Sequence, residues 1–320
     1  MPNETVTIQQ LVDGSESSLR RFLQTLSPID QVGAHERAAM LGTRSIKTTS
    51  KKWAIDTAIS MVDLTTLEGA DTPGKVRTLC SKALRPDPND LTVPHVGAVC
   101  VYNDMVGVAR QHLDSIGGNN LPVAAVSTAF PSGRASRAVK EQDTKDAIAL
   151  GASEIDMVID RGAFLSGKLG EVFEEISAIK EICGEKAHLK VILETGELVT
   201  LDNVRKASYL AMLAGADFIK TSTGKVTPAA TPPVVLVMLE AVRDFFALTG
   251  HRIGVKPAGG IRTTKDAIKQ LVLVNEIAGP EWLDPSLFRI GASALLNDLL
   301  MQRMKMANGR YSSANYVTVD

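Results

Sequence analysis

Eight short apolar runs recur along this chain from about residue 59, and their spacing limits the folds that the chain can adopt. Neighbouring runs lie roughly 26 to 37 residues apart, about the length of one strand–helix–strand step. A helical pattern at 48–60 leads into the first run, and no pattern is assigned between 101 and 123. Later helical patterns cover residues 72–83, 139–150, 169–183, 201–214, 233–247, 264–277 and 292–306. The runs cover residues 59–64, 96–101, 123–126, 155–159, 189–193, 218–219, 253–255 and 288–290. Eight strands that alternate with helices predict an α/β fold, the TIM (β/α)8 barrel.

The alternative is an open, doubly wound sheet. That fold normally carries a glycine-rich dinucleotide-binding loop after its first strand, whereas this chain reads TTLEGADTPG after Leu64. We therefore predict three parts: an N-terminal helical extension over 1–50, a barrel over 51–306 and a C-terminal tail over 307–320. We expect the extension to cover one end of the barrel or to make a subunit contact.

Composition narrows the class of protein. A net charge of −1 and 4% aromatic residues argue against a nucleic-acid surface. The three cysteines, Cys80, Cys100 and Cys183, lie far apart, which favours a reducing compartment and a cytoplasmic location. No secretory signal is visible, and the longest apolar run, 234–239, is too short to span a bilayer.

Strand alternation places charges inside the predicted barrel. Successive side chains of a strand point to opposite faces, so the apolar residues 155, 157 and 159 face outward while Asp156 faces inward. The same rule turns Asp63, Lys190, Lys220 and Lys256 inward. Barrel interiors are normally filled with Val, Ile and Leu, and active sites lie at the carboxyl ends of the strands. These charges therefore predict a catalytic site.

The two lysines at strand ends suit amine chemistry. Lys220 precedes the small-residue loop TSTG, and we predict that its amine attacks a carbonyl to form a Schiff base. Lys256, on the neighbouring strand, disfavours the charged form of that amine and carries protons. Asp156 would shuttle protons. From strand position alone, we expect Lys190 to hold Asp156 and Asp63 to pair with Lys256.

Glycine-rich turns predict a phosphate site beside these lysines. Gly224 and Lys225 follow the strand of Lys220, Gly260 lies in an AGG turn, and Gly291 and Ser293 belong to a GAS turn. Turns at helix starts offer backbone N–H groups to anions, and barrels commonly bind phosphate after strands 7 and 8. For any single loop, the alternative is that its glycine only lets the chain turn and binds no phosphate.

Other catalytic motifs are absent from the sequence. The five histidines show no metal-type spacing, and neither a G-x-x-x-x-G-K-[ST] loop nor a G-x-S-x-G elbow occurs. We therefore expect a mechanism without a metal or another cofactor.

Five segments together resemble the deoxyribose-phosphate aldolases, in particular their eukaryotic branch. They are EIDMVID at 154–160, LKVILETGEL at 189–198, FIKTSTG at 218–224, VKPAGGIRT at 255–263 and RIGAS at 289–293. The resemblance runs from about residue 63 to 300. It implies a metal-free class I aldolase on a TIM barrel, which reversibly cleaves 2-deoxy-D-ribose 5-phosphate to D-glyceraldehyde 3-phosphate and acetaldehyde in deoxynucleoside catabolism.

The same resemblance implies the roles of single residues. Lys220 corresponds to the Schiff-base lysine, and Asp156 and Lys256 to the proton donor and acceptor pair. Gly224, Lys225, Gly260, Gly291 and Ser293 would lie near the phosphate, while the supporting roles of Asp63 and Lys190 rest on strand position alone. Bacterial members can end on a tyrosine that reaches the active site, whereas this chain has Tyr311 and Tyr316 in its tail and ends on Asp320.

Two alternatives remain open at this point. One is another Schiff-base barrel, such as a transaldolase-like or sugar-acid aldolase, and the other is a non-catalytic barrel that binds sugar phosphates. The expected partner is a small phosphorylated sugar, with no nucleic acid and no membrane, and a homo-oligomer is allowed.

Overall fold

The computed structural model describes residues 5–310, apart from the side chains of Thr48 and Thr49. The strands are β1 Val62–Thr65, β2 Ala98–Val101, β3 Val123–Ser127, β4 Glu154–Val158, β5 His188–Ile192, β6 Phe218–Lys220, β7 Gly254–Lys256 and β8 Ile290–Ala292. The helices are α1 Ile8–Leu11, α2 Glu16–Thr25, α3 Gln31–Gly42, α4 Thr48–Ser60, α5 Pro73–Leu84, α6 Val106–Ser115, α7 Arg137–Ala149, α8 Arg161–Leu165, α9 Leu169–Cys183, α10 Leu201–Leu213, α11 Pro232–Thr249, α12 Thr264–Ile277 and α13 Leu295–Asn308.

The eight strands form one parallel sheet that closes on itself. Their order is β7-β6-β5-β4-β3-β2-β1-β8, so β7 and β8 form the two edges. Isolated bridges join Val255 to Phe288 and Ala258 to Gly291, and Arg289 N donates a hydrogen bond to Val255 O at 3.1 Å. Each crossover carries a helix, as parallel neighbours require. The predicted TIM barrel is confirmed.

Local sequence signals explain where several helices begin and end. Thr72 caps α5 by accepting a hydrogen bond from Lys75 N, and Pro73 occupies the first turn, where a missing N–H costs nothing. Gly250 ends α11 in the left-handed conformation. Helices α4, α9 and α12 have the bounds that the sequence predicts.

Two differences from the sequence-based expectation concern β1 and α6. The apolar run at 59–64 is divided, because residues up to Ser60 belong to α4 and β1 begins at Val62. No helix was predicted between residues 101 and 123, yet α6 fills that interval. Its sequence, VGVARQHLDS, combines β-branched residues with a glycine, which weakens the local helix signal.

The alternation of the strands separates an apolar layer from a charged interior. Outward side chains such as Ile155, Met157 and Val191 belong to the main core between sheet and helices. The inward side chains include charged groups with almost no exposed surface. Near the amino end of β7, the ring of Phe218 occupies the space where a Cβ on Gly254 would lie, so a larger residue at 254 would have to displace that ring.

The N-terminal helices pack against the helical layer of the barrel. Helix α2 contacts α9 and α10, α3 contacts α11 and α12, and α4 contacts α12 and α13. Ion pairs Arg37–Glu240 and Arg44–Glu276, both 2.6 Å, join α3 and the loop after it to that layer. Since α4 crosses residue 50, the division into 1–50, 51–306 and 307–320 stays a prediction.

Two further expectations concern the tail and membranes. Tyr311 and Tyr316 lie outside the described residues. Within 5–310, every helix is too short or too polar to cross a membrane.

Candidate active site

Lys220 lies at the carboxyl end of β6, inside the barrel. Its side chain is only 3% exposed, and its Nζ donates a hydrogen bond to Oδ2 of Asp156 on β4 at 2.6 Å. A buried ammonium needs such a partner, because an unpaired charge in the interior is strongly unfavourable. The strand ends at Lys220, and the hydroxyl-bearing residues 221–223 follow it as a loop.

Lys256 lies directly beside Lys220, since the register pairs the two residues across β6 and β7. Its Nζ is 2.7 Å from Asp156 Oδ2 and 2.5 Å from Asp63 Oδ2. The structure thus brings together the three residues with predicted catalytic roles, and it places Asp63 against Lys256 as expected. Both lysines donate to the same carboxylate oxygen.

Lys190 on β5 has a different principal partner from the expected one. Its Nζ lies 3.6 Å from Asp156 Oδ1 and 3.7 Å from Asp63 Oδ2, but its hydrogen bond goes to Oε2 of Glu154. Asp156 Oδ1 is buried and accepts no hydrogen bond within the described residues. The proposed support of Asp156 by Lys190 is therefore electrostatic, without a direct hydrogen bond.

The pKa values of these groups follow from burial opposed by opposite charge. Burial favours the neutral form of Asp156, but the ammonium groups of Lys220, Lys256 and Lys190 outweigh it and hold the pKa well below its usual value. Burial likewise disfavours the charged form of Lys256, and the Asp156 and Asp63 carboxylates overcome it, so its pKa lies well above normal. Asp156 is thus an anion and Lys256 a cation.

Two charged residues of this cluster were not singled out from the sequence. Arg289, just before β8, donates from Nη1 to Asp63 Oδ1 at 2.7 Å and from Nη2 to Glu154 Oε1 at 3.0 Å. Strand alternation could have identified Glu154, because this residue shares the inward face of β4 with Asp156. No local pattern shows that the side chain of Arg289 spans from β8 to β1 and β4.

A cavity of about 380 Å³ opens above Lys220 at the carboxyl ends of the strands. Its lining includes Lys220 and all five predicted phosphate-site residues, namely Gly224, Lys225, Gly260, Gly291 and Ser293. Among the charged side chains of the barrel interior, Lys220 alone is part of that lining. The amine is therefore the ionic group of the cluster that a ligand in this cavity meets.

The two predicted phosphate turns lead into helices that differ in whether their first N–H groups already have hydrogen-bond partners. Gly259 and Gly260 both have positive φ, near +86° and +85°, which only glycine adopts readily. The helix after this turn, α12, already has its first N–H groups bonded to the carboxylates of Asp266 and Asp298. By contrast, α13 begins after Ser293 without a side-chain cap. Its first turn thus keeps donors for an anion.

Additional charged residues surround the cavity mouth. Lys225 Nζ lies 2.9 Å from Glu68 Oε1, which links the loop after β6 to the loop after β1. Lys75 lies 2.7 Å from Asp71, and Arg262 also lines the cavity. Sequence reasoning assigned no site role to Glu68, Lys75 or Arg262. Glu68 and Lys75 lie in a loop and a helix start without a distinctive motif, whereas Arg262 belongs to the segment VKPAGGIRT.

A buried glutamate holds the loop after β6. Glu194 follows β5 with φ of 53°, and its carboxylate accepts hydrogen bonds from Thr223 Oγ1 at 2.5 Å and from Thr223 N at 3.3 and 3.4 Å. Burial raises the pKa of Glu194, against the hydrogen bonds from Thr223. In the same loop, Ser222 Oγ donates to Ala258 O at 2.5 Å. These contacts fix the chain between Lys220 and Lys225.

One wall of the barrel mouth is apolar. Buried Leu67, Cys100 and Val126 form a small cluster against which Tyr102 and Phe130 pack. Cys100 Sγ lies 3.9 Å from Asp156 Oδ2, and burial raises the pKa of its thiol. The wall excludes water from one side of the site, which strengthens the electrostatic interactions there.

This arrangement suits carbonyl chemistry on a phosphorylated substrate. It combines an amine at the cavity floor, a carboxylate and a second ammonium behind it, and backbone donors on the far side. No group of three or more His, Cys, Asp or Glu residues with metal-binding geometry occurs in residues 5–310.

Comparisons with known proteins point to one family. The sequence model of the DeoC/LacD family of aldolases matches residues 57–300. A human deoxyribose-phosphate aldolase is 45% identical over 302 residues, which cover 90% of this chain and 94% of the human one. The bovine protein of that name is 47% identical over 264 residues, or 80% of this chain and 82% of its own.

A solved structure agrees with these sequence relatives. The apo form of a putative deoxyribose-phosphate aldolase from Toxoplasma gondii superimposes with a TM-score of 0.70 at 27% identity. The match covers 79% of this chain and 97% of the Toxoplasma chain.

Proposed function

The chain belongs to the DeoC/LacD family of aldolases, and we propose that Lys220, Asp156 and Lys256 carry out its carbon–carbon cleavage. The reaction is the reversible cleavage of 2-deoxy-D-ribose 5-phosphate to D-glyceraldehyde 3-phosphate and acetaldehyde. The enzyme is an aldehyde-lyase, and the family resemblance of its motifs is confirmed.

The position of Lys220 carries the proposal for the nucleophile. Its Nζ lies at the cavity floor and bonds to Asp156 at 2.6 Å, so an attacking amine and a proton acceptor are in contact. The neutral amine adds to the substrate aldehyde, and loss of water gives an iminium ion that accepts the electrons of the breaking carbon–carbon bond. Hydrolysis of the acetaldehyde iminium then releases Lys220.

Asp156 and Lys256 suit opposite ends of the proton transfers. Asp156 is an anion and can accept the hydroxyl proton whose loss breaks the bond. Its neighbouring ammonium groups disfavour the protonated acid, so the proton passes on readily. Lys256 is a cation and can supply a proton to the departing water or to the enamine carbon.

The phosphate group of the substrate would lie at the opposite side of the cavity. That side is lined by Ser293 and Ala294, which precede the uncapped start of α13, by Gly259 and Gly260, and by Lys225. The phosphate dianion would compete with the carboxylate of Glu68 for the ammonium group of Lys225, because these two side chains now form an ion pair of 2.9 Å. Binding of the phosphate at this side would hold the aldehyde end of the substrate near Lys220.

Reductive trapping tests the proposal directly. The protein is treated with acetaldehyde or deoxyribose 5-phosphate and sodium borohydride, and intact mass and peptide mapping locate the adduct. One reduced adduct on Lys220 supports the nucleophile. An adduct on Lys256 exchanges the two lysine roles, and folded protein without any adduct supports a barrel that only binds sugar phosphates.

Several sequence-based expectations stay predictions beside this function. They are the absence of a cofactor or metal, the cytoplasmic location and the capacity to form a homo-oligomer. A transaldolase-like or sugar-acid specificity would be detected by screening phosphorylated sugars for cleavage.

A further inference from the structure

We propose that Arg289 and Glu154 are positioning residues whose opposite charges set the pH at which the Lys220 amine becomes reactive. The inference rests on the proposed function, because it concerns the same amine. It goes beyond that function by assigning a role to two side chains that lie behind the cavity, away from the substrate.

The first observation is an uninterrupted series of alternating charges. Arg289 contacts Asp63 at 2.7 Å, Asp63 contacts Lys256 at 2.5 Å, and Lys256 contacts Asp156 at 2.7 Å. The series ends on Lys220, 2.6 Å from Asp156. A change of charge at Arg289 therefore alters the electrostatic potential at Lys220 within one contiguous group of buried ion pairs.

A second path connects the same ends. Arg289 also contacts Glu154 at 3.0 Å, and Glu154 bonds to Lys190. Lys190 in turn lies 3.6 Å from Asp156. Glu154 is thus the negative counterpart of Arg289, and removal of either residue changes the charge total by one unit in opposite directions.

The titratable and charged groups that face the interior come from seven of the eight strands or their ends. They are Asp63 on β1, the thiol of Cys100 on β2, Glu154 and Asp156 on β4, Lys190 on β5, Lys220 on β6, Lys256 on β7 and Arg289 before β8. β3 contributes the apolar side chains of Ala124 and Val126. The raised pKa of the thiol keeps Cys100 neutral, so it does not enter the charge total.

With every other group ionised, the interior described here holds four cations and three carboxylates. The side chains of these seven residues are each at most 7% exposed, so water screens the excess positive charge poorly. Loss of one proton gives a balanced cluster. Lys256 is held between two carboxylates and Lys190 bonds to Glu154, whereas Lys220 lines the cavity, so the charge of the cluster acts on a substrate through the amine of Lys220.

The count predicts shifts of opposite sign. Arg289→Met removes a permanent cation, so the cluster is balanced with all three lysines protonated, and imine formation should require a higher pH. Glu154→Gln removes an anion, so the proton should leave at lower pH. For unit charges on the order of 10 Å apart in a partly screened interior, each shift should be about one pH unit.

The experiment measures the rate of imine trapping with acetaldehyde and cyanoborohydride across pH. The midpoint should move up for Arg289→Met, down for Glu154→Gln, and return to the wild-type value in the double variant. Arg289→Lys keeps the charge and should retain the wild-type midpoint. Lys140→Met is the matched control, because it removes an equally buried cation that pairs with Glu175 in the helical layer.

The outcomes separate this proposal from the proposed function. Folded wild-type protein without an adduct at any pH would remove the nucleophile and with it this inference. Normal wild-type trapping with midpoints that stay fixed, or move in the same direction, in both single variants would overturn the charge-count role alone. If Arg289→Met fails to fold, two comparisons still test the proposal. The midpoint of Glu154→Gln should lie below that of the wild type, and the midpoint of the double variant should lie above that of Glu154→Gln.

Discussion

Lys220 and Lys256 occupy paired positions on neighbouring strands, and both donate to a single carboxylate oxygen, at 2.6 and 2.7 Å. Two ammonium groups that share one acceptor repel each other while each is held in place. The two lysines differ in their surroundings, because Lys220 lines the cavity whereas Lys256 is enclosed by two carboxylates.

Replacement of the nucleophile by arginine tests the chemistry apart from the charge. Lys220→Arg should abolish cleavage, because a guanidinium group keeps its charge and does not form the imine. The measurement is turnover of deoxyribose 5-phosphate beside borohydride trapping. Lys145→Arg on the surface of α7 is the control and should keep full activity. Residual turnover above a few per cent in Lys220→Arg would contradict the assignment.

A negative charge at the start of α13 tests the phosphate site. Ser293→Asp should lower kcat/KM for deoxyribose 5-phosphate at least about tenfold, or ~1.4 kcal/mol, because like charges repel at the cavity wall. Unphosphorylated deoxyribose should be affected much less. Steady-state kinetics on both substrates gives the comparison, with Ser293→Ala as the uncharged control. Equal losses on the two sugars would remove the phosphate role.

Close packing inside the barrel makes a stability prediction. Gly254→Ala places a methyl group into the ring of Phe218 and should lower the free energy of unfolding by about 1–3 kcal/mol. Urea unfolding measures this change. Gly69→Ala is the matched control, since its new Cβ would meet no atom within 4 Å. The double variant Gly254→Ala/Phe218→Leu should recover part of the loss, and no recovery would assign the effect to the backbone.

The buried carboxylates predict a specific acid sensitivity. Burial opposes ionisation of Asp63, but Lys256, Arg289 and Lys190 hold its pKa well below normal in the folded protein. As the pH falls, the unfolded chain therefore binds this proton first. The contribution of Asp63 is complete above its unfolded pKa of about 3.9 and declines below it.

Unfolding free energies between about pH 3 and pH 6 test that sign. Asp63→Asn should show a shallower decline below pH 4 than the wild type, although it starts from lower stability. Asp104→Asn, an exposed residue after β2, should follow the wild-type slope. A slope in Asp63→Asn as steep as that of the wild type would show that other groups dominate acid unfolding.

The fold was predictable because short apolar runs recur along the chain at a nearly regular spacing, mostly with helical patterns between them. Strand alternation placed Asp156, Lys190 and Lys256 on the inward face, and the structure finds them there. What alternation cannot supply is the choice of partner. Lys190 bonds to Glu154, and that preference depends on the distances between side chains of several strands.

The phosphate side shows a similar limit. Glycine turns identified both loops, yet only the structure shows that Asp298 and Asp266 already occupy the start of α12. Asp298 belongs to the next helix, 34 residues further on, so no motif around Thr264 contains it. Long-range contacts of this kind decide which helix end stays available.

The position of Arg289 has a consequence for how the chain is made. Asp63 and Glu154 are synthesised long before it, and their buried carboxylates lack this cation until β8 has left the ribosome. Because an incompletely paired buried charge is strongly destabilising, the barrel is expected to stay open during most of synthesis and to close late. Limited proteolysis of ribosome-bound chains that present residues up to 287 or up to 308 would compare the two stages, and equal protection would refute late closure.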